Sequence, residues 1–220
     1  MEKNSFRYER KFKILFFNIH QIENILRFSK LKFLKQYDDR IVNSIYFDNS
    51  IKSSFYENVD GNMKKSKIRL RWYNNPKIIQ NPLLEIKNKI SLVNYKKIYK
   101  INKFKKILLN KKNILKTIVD LKKNFIFLNN KFPISSTHYL RKYFVSSHQN
   151  IRATIDTNIS FRNLDNNFII NKKCNYNILE IKYHTKYDKI IRQEFKNITL
   201  RISKNSKYVN SIIETPFIVS

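Results

Sequence analysis

Cations alternate with apolar residues near the middle of the chain. Residues 67–72 read KIRLRW, so that Lys67, Arg69 and Arg71 are each followed by an apolar side chain. Side chains of a β-strand point alternately to its two faces, which places these three cations on one face. Arginine offers planar paired donors and lysine a point charge, and both bind phosphate oxygens. The segment therefore predicts an anion-binding strand with an apolar opposite face.

Four other segments repeat this pattern, and in each of them a carboxylate shares the face of the cations. They are RYERKF at 7–12, LEIKNK at 84–89, RATID at 152–156 and LEIKY at 179–183. A solvated outer face, with lysines that discourage edge-to-edge aggregation, would explain any one of these strands. Five such strands favour a different arrangement, in which the apolar faces pack against helices and the polar faces point inward.

The periodicity predicts eight strands, at about Ser5–Phe17, Ile41–Asp48, Lys64–Tyr73, Leu83–Ile90, Val93–Ile101, Ser135–Ser146, Ile151–Phe161 and Asn177–His184. Helical spacing occurs at about Ile19–Phe28, Lys103–Asn110, Ile114–Phe127 and Tyr187–Ile198, and the second and third of these predict a helical hairpin. No Gly/Ser-rich or Pro-rich linker interrupts the sequence. We therefore predict a single domain over residues 1–220, of α+β class, with an antiparallel β-barrel and peripheral helices.

A barrel lined by Lys and Arg is too repulsive to stay empty, so the inward-facing cations predict a bound anion. Duplex nucleic acid is too wide for a small barrel, whereas a linear chain of phosphates fits. Carboxylates among the cations are poor phosphate ligands, and their expected role is to hold Mg²⁺ or Mn²⁺ against the phosphates.

Composition excludes several other classes of protein. The chain of 220 residues has 45 Lys and Arg against 16 Asp and Glu, a formal charge of +29, although a uniform excess of Lys, Asn and Ile also suggests AT-rich coding. Its only glycine, Gly61, cannot make a glycine-rich phosphate loop, and its only cysteine, Cys174, excludes an internal disulfide framework. Because Lys or Arg interrupts every apolar stretch, we expect no membrane span and a cytoplasmic location.

Eight segments, taken in their order, cover nearly the whole chain: RYERKF (7–12), SIYFDN (44–49), KIRLRWY (67–73), LEIK (84–87), YLRKY (139–143), RATIDT (152–157), LEIKY (179–183) and SKY (206–208). Together these segments resemble the VTC domain, the polyphosphate polymerase module of the triphosphate tunnel metalloenzyme superfamily.

The resemblance implies a role for each of twelve residues. The catalytic cations are Arg69, Arg71, Lys87, Arg152 and Lys182; the residues that bind phosphate or substrate are Lys11, Lys96, Arg141, Lys204, Ser206 and Lys207; the metal ligand is Glu180. The strand after LEIK has adjacent lysines where the family has a Lys-x-Arg pair, so the register between Lys96 and Lys97 is open, and we favour Lys96. Glu9 and Glu85 are left open between positioning a metal or water and simple salt bridging, and Ser206 between a phosphate ligand and a helix cap.

The resemblance also implies the reaction, a transfer of the γ-phosphate of ATP, or another nucleoside triphosphate, to a growing polyphosphate chain with Mn²⁺ or Mg²⁺. Hydrolysis of a triphosphate and non-catalytic binding of polyphosphate are the alternatives. A basic RNA-binding module is a further alternative supported only by charge and aromatic content, and we expect no nucleic-acid partner. The regulatory SPX domain and the membrane segments of eukaryotic members have no counterpart here, so a membrane partner on another chain stays open.

Overall fold

The computed structural model describes residues 7–90, 93–101, 104–147, 151–164, 171–196, 202–203 and 205–215. The strands are β1 (Arg7–Ile14), β2 (Leu34–Asp48), β3 (Lys64–Tyr73), β4 (Ile78–Ile79), β5 (Leu83–Ile90), β6 (Val93–Lys100), β7 (Ile107–Leu108), β8 (Phe132–Val145), β9 (Arg152–Asn163), β10 (Asn171–Lys173) and β11 (Asn177–His184). The helices are α1 (Ile19–Phe28), α2 (Ser53–Val59), α3 (Lys111–Asn124), α4 (Asp188–Glu194) and α5 (Lys207–Ile213), with 3-10 turns at Ile126–Leu128 and Thr185–Tyr187. The structure is therefore of α+β class and rich in antiparallel strands.

The chain forms two compact units. The first consists of Met1–Arg40, Tyr139–Ile159 and Cys174–Asn205. The second consists of Ile41–His138, Ser160–Lys173 and Ser206–Ser220. The long strands β2, β8 and β9 contribute residues to both units.

The first unit has the strand order β1-β11-β9-β8-β2, with β1 at its edge. Helix α1 begins where the Asn18 side chain accepts a hydrogen bond from the Gln21 backbone N–H, and the Gln21 side chain accepts one from the Asn18 backbone N–H. This capping box satisfies amides that the first helical turn leaves free. Ile22 and Leu26 of α1 are buried in one cluster with alternate residues of β1 and β11, including Phe12. The apolar face of these strands is thereby covered.

The second unit has the strand order β8-β2-β3-β5-β6, with β6 at its edge, and a separate ribbon of β4 and β7. Leu70 and Trp72 of β3 are each 1% exposed and share a core with Ile114, Ile118 and Leu121 of α3. The described hydrogen bonding of each unit is that of an open sheet with a helix on its apolar face. The cations of β3 lie on the opposite face, as the alternation predicts.

Three strand predictions, Lys64–Tyr73, Leu83–Ile90 and Asn177–His184, and the helix prediction Ile19–Phe28 agree with the structure to the residue. The predicted helix at Lys103–Asn110 is wrong. Ile107 and Leu108 form β7, Ile107 and Leu109 pack towards the core and Leu108 is 57% exposed, which is the alternation of an extended chain. Asn110 instead caps α3 by accepting a hydrogen bond from the Asn113 backbone, so the predicted helical hairpin does not form.

Helices α2 and α5 were not predicted. Lys52, before α2, has a left-handed backbone with φ of 54° and provides no side-chain cap. The cap comes from Asp48, whose carboxylate accepts hydrogen bonds from the backbone of Ser54 and Phe55 at 3.2 and 3.1 Å. Within the described ranges, no helix combines the length and the apolar character needed to cross a bilayer.

Candidate functional site

Arg69, Arg71, Glu85 and Lys96 form a basic cluster on the polar face of the second unit. The register sets Arg69 of β3 opposite Glu85 of β5. Arg69 donates from Nε to Glu85 Oε2 at 2.7 Å, and its second guanidinium nitrogen also lies 2.7 Å from that oxygen. Lys96 Nζ is 2.5 Å from Glu85 Oε1, and Arg71 is 3.8 Å from Oε2. Three cations therefore surround one carboxylate.

The centre of the basic cluster is buried, because the side chains of Glu85 and Arg71 are only 2% and 9% exposed, whereas the Lys96 side chain is 38% exposed. Burial raises the pKa of Glu85, but the charges of Arg69 and Arg71 and the hydrogen bond from Lys96 outweigh it and bring the pKa to about 2. Burial likewise lowers the pKa of Lys96 below its ordinary value, although Glu85 opposes this. The carboxylate is thus charged at neutral pH, and it neutralises only one of the three cations.

Lysines lie directly opposite each other across the same three strands. Lys67 of β3 pairs with Lys87 of β5, and Lys87 pairs with Lys96 of β6. Like charges at directly opposed positions destabilise a sheet unless an anion compensates them. Lys97 pairs instead with Ile86, so it points to the other face. The structure therefore places Lys96, the favoured register, on the face of the cluster.

Arg71 is the least satisfied member of the basic cluster. Its Nε is buried and makes no hydrogen bond among the described residues. Ser44 of β2 lies opposite Arg71, and its buried hydroxyl also has no hydrogen-bond partner in the described part of the chain. A buried guanidinium without a full set of acceptors is costly, so this position favours an added anion.

The tyrosines Tyr46 and Tyr208 support the basic cluster, and the sequence analysis did not identify them. Tyr46 of β2 lies opposite Arg69 and its hydroxyl accepts from Arg69 at 3.3 Å. The Tyr208 ring of α5 packs on the Tyr46 ring with centroids 5.2 Å apart, and its hydroxyl donates to the fully buried Asp48. Burial, together with this carboxylate, raises the pKa of Tyr208. Asp48 thereby fixes both α2 and α5 beside the cluster.

Ser206 forms the helix cap that the sequence left open, and its role as a phosphate ligand stays a prediction. It is the N-cap of α5 and accepts from the Val209 backbone at 3.4 Å. Its hydroxyl also accepts from Lys67 Nζ at 2.9 Å. Lys207 is the first residue of α5. Ser206 therefore lies beside a cation of the polar face while it caps the helix.

Glu9, Lys11, Glu180 and Lys182 form an ion-pair cluster in the first unit. Lys11 lies opposite Glu180, and Glu9 opposite Lys182, across β1 and β11. Lys11 Nζ is 2.7 Å from Glu9 and 4.0 Å from Glu180, while Lys182 Nζ is 2.5 Å from Glu180. Two carboxylates thus converge on one ammonium group, and the four charges balance.

The oxygen donors of this ion-pair cluster fit a divalent cation whose remaining ligands would be phosphate oxygens. Among the described residues, no group of three or more His, Cys, Asp or Glu could hold a metal alone. Mg²⁺ at phosphate sites typically uses one or two carboxylates, with waters and substrate phosphates as its other ligands. Lys11 already occupies a cation position between Glu9 and Glu180. The buried hydroxyl of Thr154, opposite Glu180, makes no hydrogen bond within the described ranges and adds an oxygen donor there.

Arg141 and Asp156 form a buried pair between β8 and β9 in the first unit. Arg141 donates twice to the carboxylate, at 2.6 and 2.8 Å, and Asp156 is fully buried. Burial lowers the pKa of Arg141, but Asp156 outweighs it and keeps the value well above the usual range. Arg152 lies at the exposed surface opposite Lys182, again with like charges opposed.

The twelve predicted site residues divide between the units. The first unit holds Lys11, Arg141, Arg152, Glu180 and Lys182; the second holds Arg69, Arg71, Lys87, Lys96, Ser206 and Lys207; Lys204 lies outside the described residues. Within each unit the predicted cations that belong to strands lie on the face that the alternation assigned to them, whereas Lys207 begins helix α5.

The sequence matches the family described as VTC domain over residues 6–214. Comparison with curated proteins finds no match. A putative adenylate cyclase from Vibrio parahaemolyticus is 13% identical, with a TM-score of 0.54 and coverage of 96% of this chain and 100% of that one. A putative adenylyl cyclase from Hippeastrum, described as having a dominant triphosphatase activity, is 9% identical, with a TM-score of 0.52 and coverage of 96% and 98%. At such identities the likeness concerns the fold alone.

Proposed function

The chain belongs to the VTC domain family, in the triphosphate tunnel metalloenzyme superfamily, and from this premise we propose that it is a metal-dependent ATP:polyphosphate phosphotransferase. The family membership agrees with the predicted α+β tunnel fold. The observation on which the proposal depends is the basic cluster, where Arg69, Arg71 and Lys96 outnumber the single carboxylate of Glu85. Such an excess of positive charge around one buried carboxylate suits a chain of phosphates.

In the proposed reaction the cations neutralise phosphate oxygens. A terminal oxygen of the polyphosphate acceptor forms a bond to the γ-phosphorus of ATP, the bond from that phosphorus to the β–γ bridging oxygen breaks, and ADP leaves. Phosphoryl transfer needs positioning and charge stabilisation, with no covalent enzyme intermediate. Arg69 is held by Glu85 and Tyr46, so its guanidinium is oriented before substrate arrives.

Glu180, with Glu9, would hold the divalent cation, which when bound would stabilise the negative charge of the phosphate oxygens. The chain's own part is to hold both carboxylates close together. Lys11 and Lys182 do this by pairing with them. Lys11 also donates to the Asn205 backbone carbonyl at 3.0 Å, so its ammonium has a partner besides the two carboxylates.

Incubation of the purified protein with ATP and Mn²⁺ tests the proposal. We expect long phosphatase-sensitive polyphosphate chains on a gel, together with ADP. The double variant Arg69→Ala/Arg71→Ala should lower the rate by about a hundredfold or more, since removal of one stabilising donor can already cost that much. The matched control is Lys172→Gln/Lys173→Gln, which removes two exposed charges from β10. Release of free phosphate without chains would favour a triphosphatase, and neither product would favour a binding module.

A further inference from the structure

Helix α3 has two apolar stripes, of which only one is buried. Ile114, Ile118 and Leu121 pack in the core of the second unit. Leu115 and Val119, one turn apart on the helix, are 49% and 56% exposed. The second stripe therefore has no cover within the described part of this unit.

Further exposed apolar residues lie near both ends of α3. Leu108 is 57% exposed and lies at the beginning of the helix, where its carbonyl accepts from the Asn113 side chain at 2.9 Å. Ile126, just after the helix, is 81% exposed. Phe132 is 48% exposed and contacts Lys122, whose ammonium lies 4.9 Å from the ring centroid. Exposed apolar residues thus occur on α3 and next to both of its ends, and the helix of 14 residues is about 21 Å long.

Lysines surround this apolar surface. Helix α3 contains a single carboxylate, Asp120, which is 3.6 Å from Lys123. Its five lysines are Lys111, Lys112, Lys116, Lys122 and Lys123. The helix therefore combines an exposed aliphatic stripe with a net positive charge.

Helix α2 of the same unit also has exposed apolar residues, but it does not combine them with a net positive charge. Tyr56 and Val59 are 55% and 52% exposed, and Met63 beyond the helix is 74% exposed. The charged residues in and next to α2 include Glu57 and Asp60, and α2 itself contains no lysine. Of these two helices, only α3 accompanies its exposed apolar residues with a net positive charge, which favours an anionic partner.

We propose that the exposed surface of α3 docks on an anionic lipid bilayer. Leu115, Val119 and Ile126 would enter the boundary between headgroups and acyl chains, while the lysines bind the anionic headgroups, as in interfacial amphipathic helices. Nucleic acid would neutralise the lysines but leave the aliphatic stripe in water. A second copy would cover the stripe but bring five lysines against five. A bilayer with anionic lipids satisfies both features.

Co-sedimentation with phosphatidylcholine vesicles, with and without phosphatidylserine, tests this proposal. The intact protein should bind only the vesicles that contain phosphatidylserine, and less as salt rises. Leu115→Gln/Val119→Gln and Lys112→Gln/Lys116→Gln should each lower the partition coefficient about tenfold, from the lost apolar contact and the lost charge respectively. All four residues are exposed, so the melting temperature should change little and show that α3 still folds.

Two control variants match these changes at other surfaces. Tyr56→Gln/Val59→Gln removes equal numbers of exposed apolar residues from α2, and Lys172→Gln/Lys173→Gln removes equal charge from β10. Both should bind vesicles as the unchanged protein does. The proposal is overturned by absence of vesicle binding, by equal losses in the α3 and control variants, or by full competition from tripolyphosphate, which would place binding at the basic cluster. It is also overturned if Leu115→Gln/Val119→Gln abolishes a dimer in solution, because α3 would then be a self-interface.

Discussion

The same four letters, LEIK, occur at residues 84–87 and 179–182, yet the two glutamates lie in different environments. Glu85 receives two arginines and a lysine, and its cluster keeps an excess of positive charge. Glu180 receives two lysines and has Glu9 as a neighbour on Lys11, so its cluster is neutral. Cross-strand partners, which a local motif does not contain, make one cluster suited to phosphate and the other to a cation.

The largest expected effect, which combines a loss of ligand-induced stabilisation with a loss of catalytic rate, separates the two clusters by their dependence on metal. Tripolyphosphate at a hundredfold excess over its dissociation constant should stabilise the protein by about 2.7 kcal/mol, seen as a rise in melting temperature. Arg71→Met should abolish this rise with or without Mn²⁺, because the under-satisfied guanidinium is lost. Glu180→Gln should keep the metal-free rise and lose only the additional rise from Mn²⁺.

The control for that experiment is sodium chloride at the same ionic strength, which should give a much smaller rise in all three proteins. The opposing outcome is that Glu180→Gln removes the metal-free rise in melting temperature as fully as Arg71→Met does. That result would contradict the assignment of phosphate to one cluster and of the metal to the other. Both variants should also make polyphosphate at least about a hundredfold more slowly.

The next effect concerns stability and tests the electrostatics of Glu85. Its pKa is lowered from an ordinary 4.5 to about 2 in the folded protein. A depressed carboxyl pKa contributes stability that is present above pH 4.5 and is lost as the pH falls through the folded value, here up to about 3 kcal/mol. Urea unfolding should therefore show Glu85→Gln to be less stable at neutral pH, with the difference shrinking between pH 4.5 and 2.

Asp188 of the first unit also has a pKa of about 2, but it is present in both proteins, so its contribution cancels in the difference. A stability difference that stayed constant from neutral pH to pH 2 would mean that Glu85 acts by packing rather than by its charge. The corresponding change at the other LEIK segment, Glu180→Gln, offers a comparison at a carboxylate that forms ion pairs with Lys11 and Lys182.

Period-two patterning was sufficient to place the cations, because it is a local property that burial enforces. Arg69 and Arg71 lie on the polar face since Leu70 and Trp72 must be buried. The support of the cluster was not predictable in this way. Tyr208 and Asp48 are separated by 160 residues, and no local pattern links them. The error at Lys103–Asn110 has the same origin, because short apolar segments have no intrinsic preference that outweighs pairing with a distant strand.

The smallest expected effect compares neighbouring lysines in β6. Lys96→Gln and Lys97→Gln each remove one positive charge, at adjacent positions. Any loss of long-range attraction for polyanions is therefore equal in the two variants. Lys96 forms an ion pair with Glu85 and lies opposite Lys87, whereas Lys97 lies opposite Ile86 on the other face. A lost charge-assisted contact costs about 1.5 kcal/mol, so Lys96→Gln should weaken tripolyphosphate binding about tenfold in calorimetry, and Lys97→Gln less than about twofold. Equal losses would mean that tripolyphosphate responds to the net charge of the whole protein. The face of β6 on which a lysine lies would then have no effect on binding.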